Sequence, residues 1–274
     1  MSGSFYKDKS VLITGASSGI GEELALQLGQ AGAKLTLTAR RVELLNELAQ
    51  KIETRGARRP AVVPCDVTRD GDLERAVSEC LRQWGKLDVV IANAGFGVVG
   101  PFRTLTIADY RRQFETNVFG VLRTIYAALP EIEKAKGNIV IIGSVAGWVA
   151  SPGGSPYAMS KFALRALANA ITPELQTSGV KVTLISPGFV DSDIRRVDNE
   201  GKVHSEAKDP IPEWIVMGTD TAVRQILSAV ARGKREAIVT GHGKIFVALQ
   251  RFTPWVLRVA ATRMAAVRYR PEPR

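Results

Sequence analysis

The sequence predicts a single-domain α/β fold built on a doubly wound, seven-stranded parallel sheet. Short apolar, β-branched runs recur along the 274 residues, and segments long enough to form helices separate them. Almost wholly apolar runs are typical of strands that helices cover on both faces, and parallel neighbours require helical crossovers of this kind. The predicted strands are Val11–Ile13, Leu35–Leu37, Ala61–Val63, Val89–Ile91, Ile139–Ile142, Val182–Ile185 and Ala237–Thr240.

Composition sets the broad class of protein. A hydrophobic content of 45% and a charged content of 23% are those of an ordinary folded protein with a large core. Only two cysteines occur, and their spacing matches no metal or redox motif, which suits a reducing compartment. His204 and His242 are isolated, so we predict loop or surface histidines and no metal site. Neither a secretory signal nor a membrane-spanning apolar run is evident, so we expect a cytoplasmic protein.

A glycine-rich segment after the first strand predicts a nucleotide site. It reads Thr-Gly-Ala-Ser-Ser-Gly-Ile-Gly from Thr14 to Gly21 and leads directly into a helix. Glycines permit a tight turn and a close approach of the backbone to a pyrophosphate, and the helix N-terminus offers N–H groups to that anion. A mere strand–helix turn is the weaker interpretation in this context. The predicted cofactor contacts here are Gly15, Ser17, Ser18, Gly19, Ile20 and Gly21.

The end of the second strand indicates which dinucleotide binds. A protein that prefers NAD carries an Asp or Glu there to hold the ribose 2′-hydroxyl. This sequence has Arg40 and Arg41 instead, and guanidinium groups pair well with a 2′-phosphate. The alternative is that both arginines are simply solvated at the start of a helix. We predict NADP(H) as the cofactor.

Several separated motifs carry a family resemblance. They are Cys65-Asp66-Val67 after the third strand, Asn93-Ala94-Gly95 after the fourth, Ser144 at the end of the fifth, Tyr157-Ala158-Met159-Ser160-Lys161 behind it, and Pro187-Gly188 at the end of the sixth. Together with the glycine segment and Asn117 on a long helix, they resemble the short-chain dehydrogenase/reductase family over roughly residues 7–240. The resemblance implies a Rossmann-type fold and an oxidoreductase that transfers a hydride between a nicotinamide and a carbonyl or an alcohol.

The resemblance also implies further cofactor contacts. They are Asp66 and Val67 near the adenine, Asn93, Ala94 and Gly95 along the pocket wall, and Pro187, Gly188, Val190 and Ser192 near the nicotinamide. The family often has a threonine where this chain has Ser192, and a serine hydroxyl can make the same contact.

The chemistry of Tyr157 and Lys161 follows from their spacing. They are four residues apart in a helix predicted over Gly154–Leu175, so they share one face. A phenol with an ordinary pKa of about 10 exchanges protons poorly at neutral pH. A neighbouring ammonium and an oxidised nicotinamide both favour the phenolate and lower that pKa. We therefore assign Tyr157 as the general acid/base and Lys161 as the group that tunes it.

The resemblance completes a catalytic set of Asn117, Ser144, Tyr157 and Lys161. It implies that Lys161 also binds the nicotinamide ribose and that Asn117 holds a water through which Lys161 exchanges protons. Ser144 would hydrogen-bond the reacting oxygen and position it. A catalytically silent NADP-binding sensor, or a scaffold at a membrane surface, is the alternative, but such proteins usually lose part of this set.

The substrate side carries no motif. Residues 189–217 mix charges, prolines and large apolar side chains, which predicts a lid, with a partly disordered excursion as the alternative. The candidate pocket residues favour a lipophilic ketone or secondary alcohol, although they could equally belong to the core. They are Phe96, Val98, Trp148, Val149, Pro152, Phe189, Trp214 and Met217.

We predict that residues 244–274 extend a catalytic domain spanning residues 1–243. The extension has seven basic residues and one acidic residue, so it carries most of the net charge of +10. Pro254 should divide it into two amphipathic helices. Peripheral membrane contact, a subunit interface and a cover over the substrate mouth all remain open. Nucleic-acid binding is not expected, because aliphatic residues separate the basic ones. The family resemblance implies a homodimer or homotetramer.

Overall fold

The structure, a computed structural model, describes residues 3–192, 194, 199 and 211–268, and within them seven strands form one sheet. The strands are β1 (Ser10–Thr14), β2 (Lys34–Ala39), β3 (Ala61–Pro64), β4 (Val89–Ala92), β5 (Asn138–Ile142), β6 (Lys181–Pro187) and β7 (Glu236–Val239). Every neighbouring pair is parallel, in the order β3-β2-β1-β4-β5-β6-β7. The predicted doubly wound Rossmann-type fold is confirmed.

Helices cover both faces of this sheet. They are α1 (Gly3–Tyr6), α2 (Gly19–Gln30), α3 (Val42–Thr54), α4 (Asp72–Trp84), α5 (Ile107–Phe114), α6 (Gly120–Ala135), α7 (Ser155–Gln176), α8 (Thr219–Ala231), α9 (Gly241–Phe252) and α10 (Pro254–Arg268). Successive strand residues point to opposite faces, so Val11 and Ile13 pack with α2, α3 and α8, whereas Leu12 packs with α4, α6 and α7. Burial on both faces explains why the strands read as continuous apolar runs.

The strand order reverses beside β1, which positions a ligand site. The chain leaves β1 towards β2 on one side, and β4 adds on the other side, so the following loops diverge and leave a crevice at the carboxyl ends. The hydroxyl of Thr14 ties the two loops together there. Its oxygen accepts hydrogen bonds from the N–H groups of Asn93 and Ala94, at 3.0 and 3.1 Å.

Three local predictions need correction. β7 ends at Val239, because Thr240 turns out of the strand with a φ of 96° and its hydroxyl caps α9 by accepting the Gly243 N–H at 3.1 Å. Ser144 lies beyond the end of β5 and caps a short 3₁₀ turn. Asn117 lies in a π-helical turn, Glu115–Phe119, between α5 and α6, and not in a regular α-helix.

Most of the predicted lid lies outside the described residues, as does His204. The two ends of the predicted lid are described and pair with each other. The N–H of Met217 donates to Phe189 O and the N–H of Asp191 donates to Met217 O, both at 2.9 Å, which closes a parallel bridge. The backbone therefore enters and leaves this segment at one place.

The C-terminal segment forms two helices, as predicted, and α10 begins at Pro254 and packs on α9. The division into residues 1–243 and 244–274 stays a prediction, and its boundary falls inside α9. Among the described residues, no helix combines the length and the apolar character needed to cross a membrane.

Candidate active site

A cleft of about 780 Å³ opens at the carboxyl ends of β1 to β6. It brings together nearly all the cofactor contacts that the sequence predicts. Those that line it are Gly15, Ser17, Ser18, Gly19, Ile20, Arg40, Arg41, Asp66, Val67, Asn93, Ala94, Gly95, Tyr157, Lys161, Pro187, Gly188, Val190 and Ser192. Gly21 is buried beneath the glycine turn and does not line the cleft, so its assignment as a cofactor contact stays a prediction.

The glycine turn is packed too closely for side chains. A Cβ on Gly15, whose φ is 65°, would come within 2.7 Å of Ala94 Cα, and a Cβ on Gly21 would meet Gly15 O. The side-chain amide of Asn93 donates to the carbonyl oxygens of Thr14 and Gly15, each at 3.0 Å. This rigid backbone cradle at the N-terminus of α2 fits a pyrophosphate, because it presents N–H groups without side chains in the way.

Arg41 lies beside the same turn. Its Nη2 donates to the hydroxyl oxygens of Ser17 and Ser18, at 3.0 and 2.7 Å. Arg40 is exposed at the cleft edge, and β2 itself ends in Ala39, so guanidinium groups stand where an NAD-preferring protein would present a carboxylate. The arrangement fits an anionic group on the adenosine ribose.

Tyr157 and Lys161 lie in the first two turns of α7. The ammonium of Lys161 is buried, donates to Ile142 O at 2.9 Å and lies 5.6 Å from the ring centroid of Tyr157. Burial lowers the pKa of Lys161 to about 8, because removal from water disfavours the charged amine. The predicted shared helix face is therefore confirmed, and it faces the cleft.

The other two members of the predicted catalytic set occupy different positions. Ser144 lines the cleft, and its Oγ accepts the Ala146 N–H at 3.1 Å. Asn117 is 1% exposed and does not line the cleft; its Oδ1 accepts the Phe96 N–H at 3.1 Å and its Nδ2 donates to Phe96 O at 3.0 Å. The π-helical turn redirects this side chain, so that Asn117 fixes the loop after β4.

The substrate side differs from the sequence-based picture. Phe96 lines the cleft, but Val98 is completely buried. The Trp148 ring packs under the Arg165 guanidinium, whose Cζ lies 3.3 Å from the ring centroid, and Trp148 Nε1 donates to Ser186 Oγ. Trp214 is 82% exposed. Val98 and Trp148 therefore support the fold behind the cleft, as the core alternative had allowed.

Two groups of residues near the cleft carried no sequence motif. Arg112, Glu115 and Thr116 reach it from α5 and the π-helical turn. His242, which the sequence placed in a loop or at the surface, is instead half-buried in α9. It stacks on Phe189 with ring centroids 5.4 Å apart and accepts the Phe189 N–H on Nε2 at 2.9 Å. The only feature of the sequence that could have pointed to His242 as a site residue is its place shortly after the last predicted strand. Within the described ranges, no group of three or more His, Cys, Asp or Glu side chains could hold a metal ion.

The fold and the cleft together define a doubly wound α/β protein of the dinucleotide-binding class. Residues 9–203 match the family model for short chain dehydrogenases. The chain belongs to the short-chain dehydrogenase/reductase family of oxidoreductases, as the sequence motifs predicted.

Similar proteins include enzymes named for steroid substrates. An 11-beta-hydroxysteroid dehydrogenase from Pinus massoniana is 30% identical over 262 residues, covering 93% of this chain and 73% of the relative. 11-beta-hydroxysteroid dehydrogenase 1A from Arabidopsis thaliana is 34% identical over 234 residues, covering 83% and 67%.

Solved structures show the same fold. An alcohol dehydrogenase from the archaeon Thermococcus sibiricus, complexed with 5-hydroxy-NADP, superposes with a TM-score of 0.73 at 26% identity, covering 84% of this chain and 95% of that one. A short-chain dehydrogenase/reductase of unknown function from Caenorhabditis elegans, with cofactor, has a TM-score of 0.80 at 26% identity, with coverages of 88% and 97%.

Proposed function

We propose that this protein is an NADP(H)-dependent oxidoreductase that interconverts a carbonyl and an alcohol, with Tyr157 as the general acid/base. The observation that carries the proposal is the pairing of Tyr157 with the buried ammonium of Lys161 inside the cleft that holds the glycine cradle. Burial of this amine costs folding free energy that its hydrogen bond to Ile142 O offsets only in part, so its presence beside a phenol favours a catalytic role.

The preference for NADP(H) rests on Arg41 and Arg40. Arg41 is already oriented by Ser17 and Ser18, so a 2′-phosphate would meet two guanidinium groups and two hydroxyls. The bound 5-hydroxy-NADP of the Thermococcus sibiricus relative is consistent with this preference. When bound, NADPH would supply the hydride that reaches the carbonyl carbon.

The residues of the chain supply the proton. In reduction, the Tyr157 hydroxyl gives its proton to the carbonyl oxygen, and in oxidation the phenolate takes it back. Ser144 Oγ donates a hydrogen bond to the same oxygen and holds it in place. Lys161 stabilises negative charge on the phenolic oxygen and binds the nicotinamide ribose.

Proton exchange with solvent involves Asn117. Both polar atoms of its side chain are engaged by Phe96. A water that serves Lys161 would therefore be held by the main chain of Asn117 and not by its side chain.

The proposed substrate is a lipophilic ketone or secondary alcohol. The relatives named 11-beta-hydroxysteroid dehydrogenases act, by their names, on such molecules. Apolar side chains in the cleft support this class, since Phe96 and Ile194 both line it.

A cofactor-oxidation screen tests the function. Purified protein is given NADPH or NADH with a series of methyl ketones of increasing chain length, and cofactor absorbance is followed. We expect turnover with NADPH at a kcat/KM that rises with chain length. NADPH binding without turnover of any carbonyl would instead favour the silent sensor, and equal use of NADH would reject the coenzyme preference.

We also propose a homo-oligomer built on α6 and α7. Exposed aromatic side chains project from both helices, among them Tyr126 at 71% and Phe162 at 41% exposure. Light scattering should give a dimer or tetramer mass, and F162D should lower it. A monomeric wild-type protein would contradict this proposal.

Peripheral membrane contact through α9 and α10 is a separate proposal. Phe252 and Trp255 are 75% and 62% exposed, and the sequence from Thr240 to Arg268 contains basic but no acidic residues. Exposed aromatic rings beside cationic groups suit an anionic lipid surface. W255S should reduce co-sedimentation with phosphatidylserine vesicles, whereas W214S, at another exposed tryptophan, should not. No binding by the wild type would reject the contact.

A further inference from the structure

His242 connects the C-terminal helices to the loop that follows β6. It is the second residue of α9, and its imidazole Nε2 accepts the Phe189 N–H at 2.9 Å. The ring also stacks on the Phe189 ring at an interplanar angle of 22° and contacts Phe246 edge-on, with centroids 6.4 Å apart. One side chain thus holds both the backbone and the side chain of Phe189.

The loop after β6 packs closely against the imidazole of His242. A Cβ on Gly188 would lie 2.5 Å from His242 Nε2, and it would also collide with Thr240 Oγ1. Thr240 itself adopts a φ of 96°, a conformation that is rare outside glycine, and it caps α9. The backbone between β7 and α9 is therefore held in an unusual shape that brings His242 against Gly188 and Phe189.

The position of the loop gives this contact a functional meaning. Pro187, Gly188, Val190 and Ser192 line the cleft on the side where the proposed nicotinamide would lie. Phe189 stands between them, and its neighbour Val190 bridges to Met217 at the far end of the predicted lid. A shift of Phe189 would move both the cleft wall and the base of the lid.

We propose that His242 is a positioning residue for the hydride-transfer reaction: its imidazole fixes the Phe189 backbone and so sets the wall of the cleft against nicotinamide and substrate. The inference rests on the proposed function for its effect on turnover, but not for its effect on the loop. It also gives α9 a role beside the active site, in line with the alternative that the C-terminal segment covers the substrate mouth.

The contact requires a neutral imidazole with its proton on Nδ1, because Nε2 accepts the Phe189 N–H. The groups packed against the ring are Phe189, Phe246, Gly188 and the hydroxyl of Thr240, whose Oγ1 lies 3.2 Å from Nε2. Burial lowers the pKa of His242 below its ordinary value of 6.5, and no charged group among the described residues contributes to that shift. A lowered pKa means that the contact is fully present above pH 6.5 and is lost as the pH falls through the folded-state pKa.

Two variants separate the hydrogen bond from the ring. H242Q keeps an acceptor near the position of Nε2, whereas H242F keeps the stacking and loses the acceptor. With the best ketone of the screen, we expect H242F to raise KM by about tenfold, as for a lost hydrogen bond of ordinary strength, with a smaller change in kcat and in NADPH affinity. H242Q should stay within about threefold of the wild type.

The pH profile and amide exchange complete the test. The KM of the wild type should rise as the pH falls below about 6.5, and this rise should be absent in H242Q. Hydrogen exchange at the Phe189 amide, measured without substrate, should be faster in H242F than in the wild type and H242Q. Exchange and KM that are the same in all three proteins would overturn the inference. If no carbonyl is turned over, the proposed function fails, and the exchange measurement still decides whether His242 holds the loop.

Discussion

The two sides of the cleft are built in different ways. On the cofactor side, short segments at the ends of neighbouring strands supply the contacts, as Gly15 and Asn93 do after β1 and β4. Where nicotinamide and substrate would meet, the wall depends on His242, which belongs to no motif and holds Phe189 from another element. A short segment with a fixed spacing can be recognised in the sequence even when its contacts are long-range, whereas a contact made by a single residue outside any motif cannot.

The proposed chemistry is centred on Tyr157, where the two sides of the cleft meet. Y157F removes only the hydroxyl, so it should lower kcat by about 10³-fold while NADPH affinity stays within about threefold of the wild type. The measurement is steady-state NADPH oxidation with the best ketone, together with fluorescence titration of NADPH. This is the largest effect we expect in the molecule.

A tyrosine elsewhere provides the control for that experiment. Tyr6 in α1 does not line the cleft, and its hydroxyl donates to Leu227 O at 2.8 Å, so Y6F should retain the wild-type kcat. Substantial turnover by Y157F would remove the distinction between cofactor binding and chemistry on which the assignment depends.

The cofactor side can be tested through its arginines. R41A should weaken NADPH binding by about 30-fold, because a charge-assisted pair with the 2′-phosphate is lost. NADH lacks that phosphate, so its affinity should change by less than about threefold. R112A is the matched control, because it removes another arginine that lines the cleft, beside the π-helical turn. It should not weaken NADPH binding relative to NADH binding. An equal loss for both cofactors in R41A would mean that Arg41 supports the glycine turn only.

The burial of Lys161, which the proposed catalytic role requires, destabilises the fold. The lowering of its pKa from 10.5 to about 8 corresponds to about 3 kcal/mol against folding at neutral pH. K161M removes that cost and loses one hydrogen bond to Ile142 O, worth about 1 kcal/mol. We therefore expect the unliganded variant to be inactive and yet more stable by about 2 kcal/mol.

The pH dependence of this gain has a definite sign. Because the folded-state pKa of Lys161 is lowered, its cost is fully present below pH 8 and disappears as the pH rises to 10.5, the ordinary value. Urea unfolding of both proteins between pH 7 and 10 measures the difference. A destabilised K161M at pH 7 would show that the ammonium makes contacts that outweigh its burial.

The sequence therefore predicted the two sides unequally. Strands, glycine turn and the Tyr157–Lys161 face depend on local periodicity and spacing, and the structure agrees with them. Thr240 was misjudged because the hydroxyl cap and positive φ that end β7 depend on α9, which has no motif. The sequence could not decide whether Val98 and Trp148 line the pocket or belong to the core, because both environments are made of apolar side chains.

The smallest effect that we expect concerns Trp148, and it decides whether this side chain belongs to the substrate pocket. W148F keeps a ring under Arg165 and loses the hydrogen bond from Nε1 to Oγ of Ser186, a residue that is 1% exposed. Thermal unfolding should show a loss of about 1 kcal/mol, while KM for the ketone stays within about twofold of the wild type. A KM that rises tenfold without a loss of stability would return Trp148 to the substrate pocket. The wall of the substrate pocket would then extend beyond the cleft, towards α9. The boundary between the cofactor side, which sequence motifs form, and the substrate side, which packing contacts form, would then lie elsewhere.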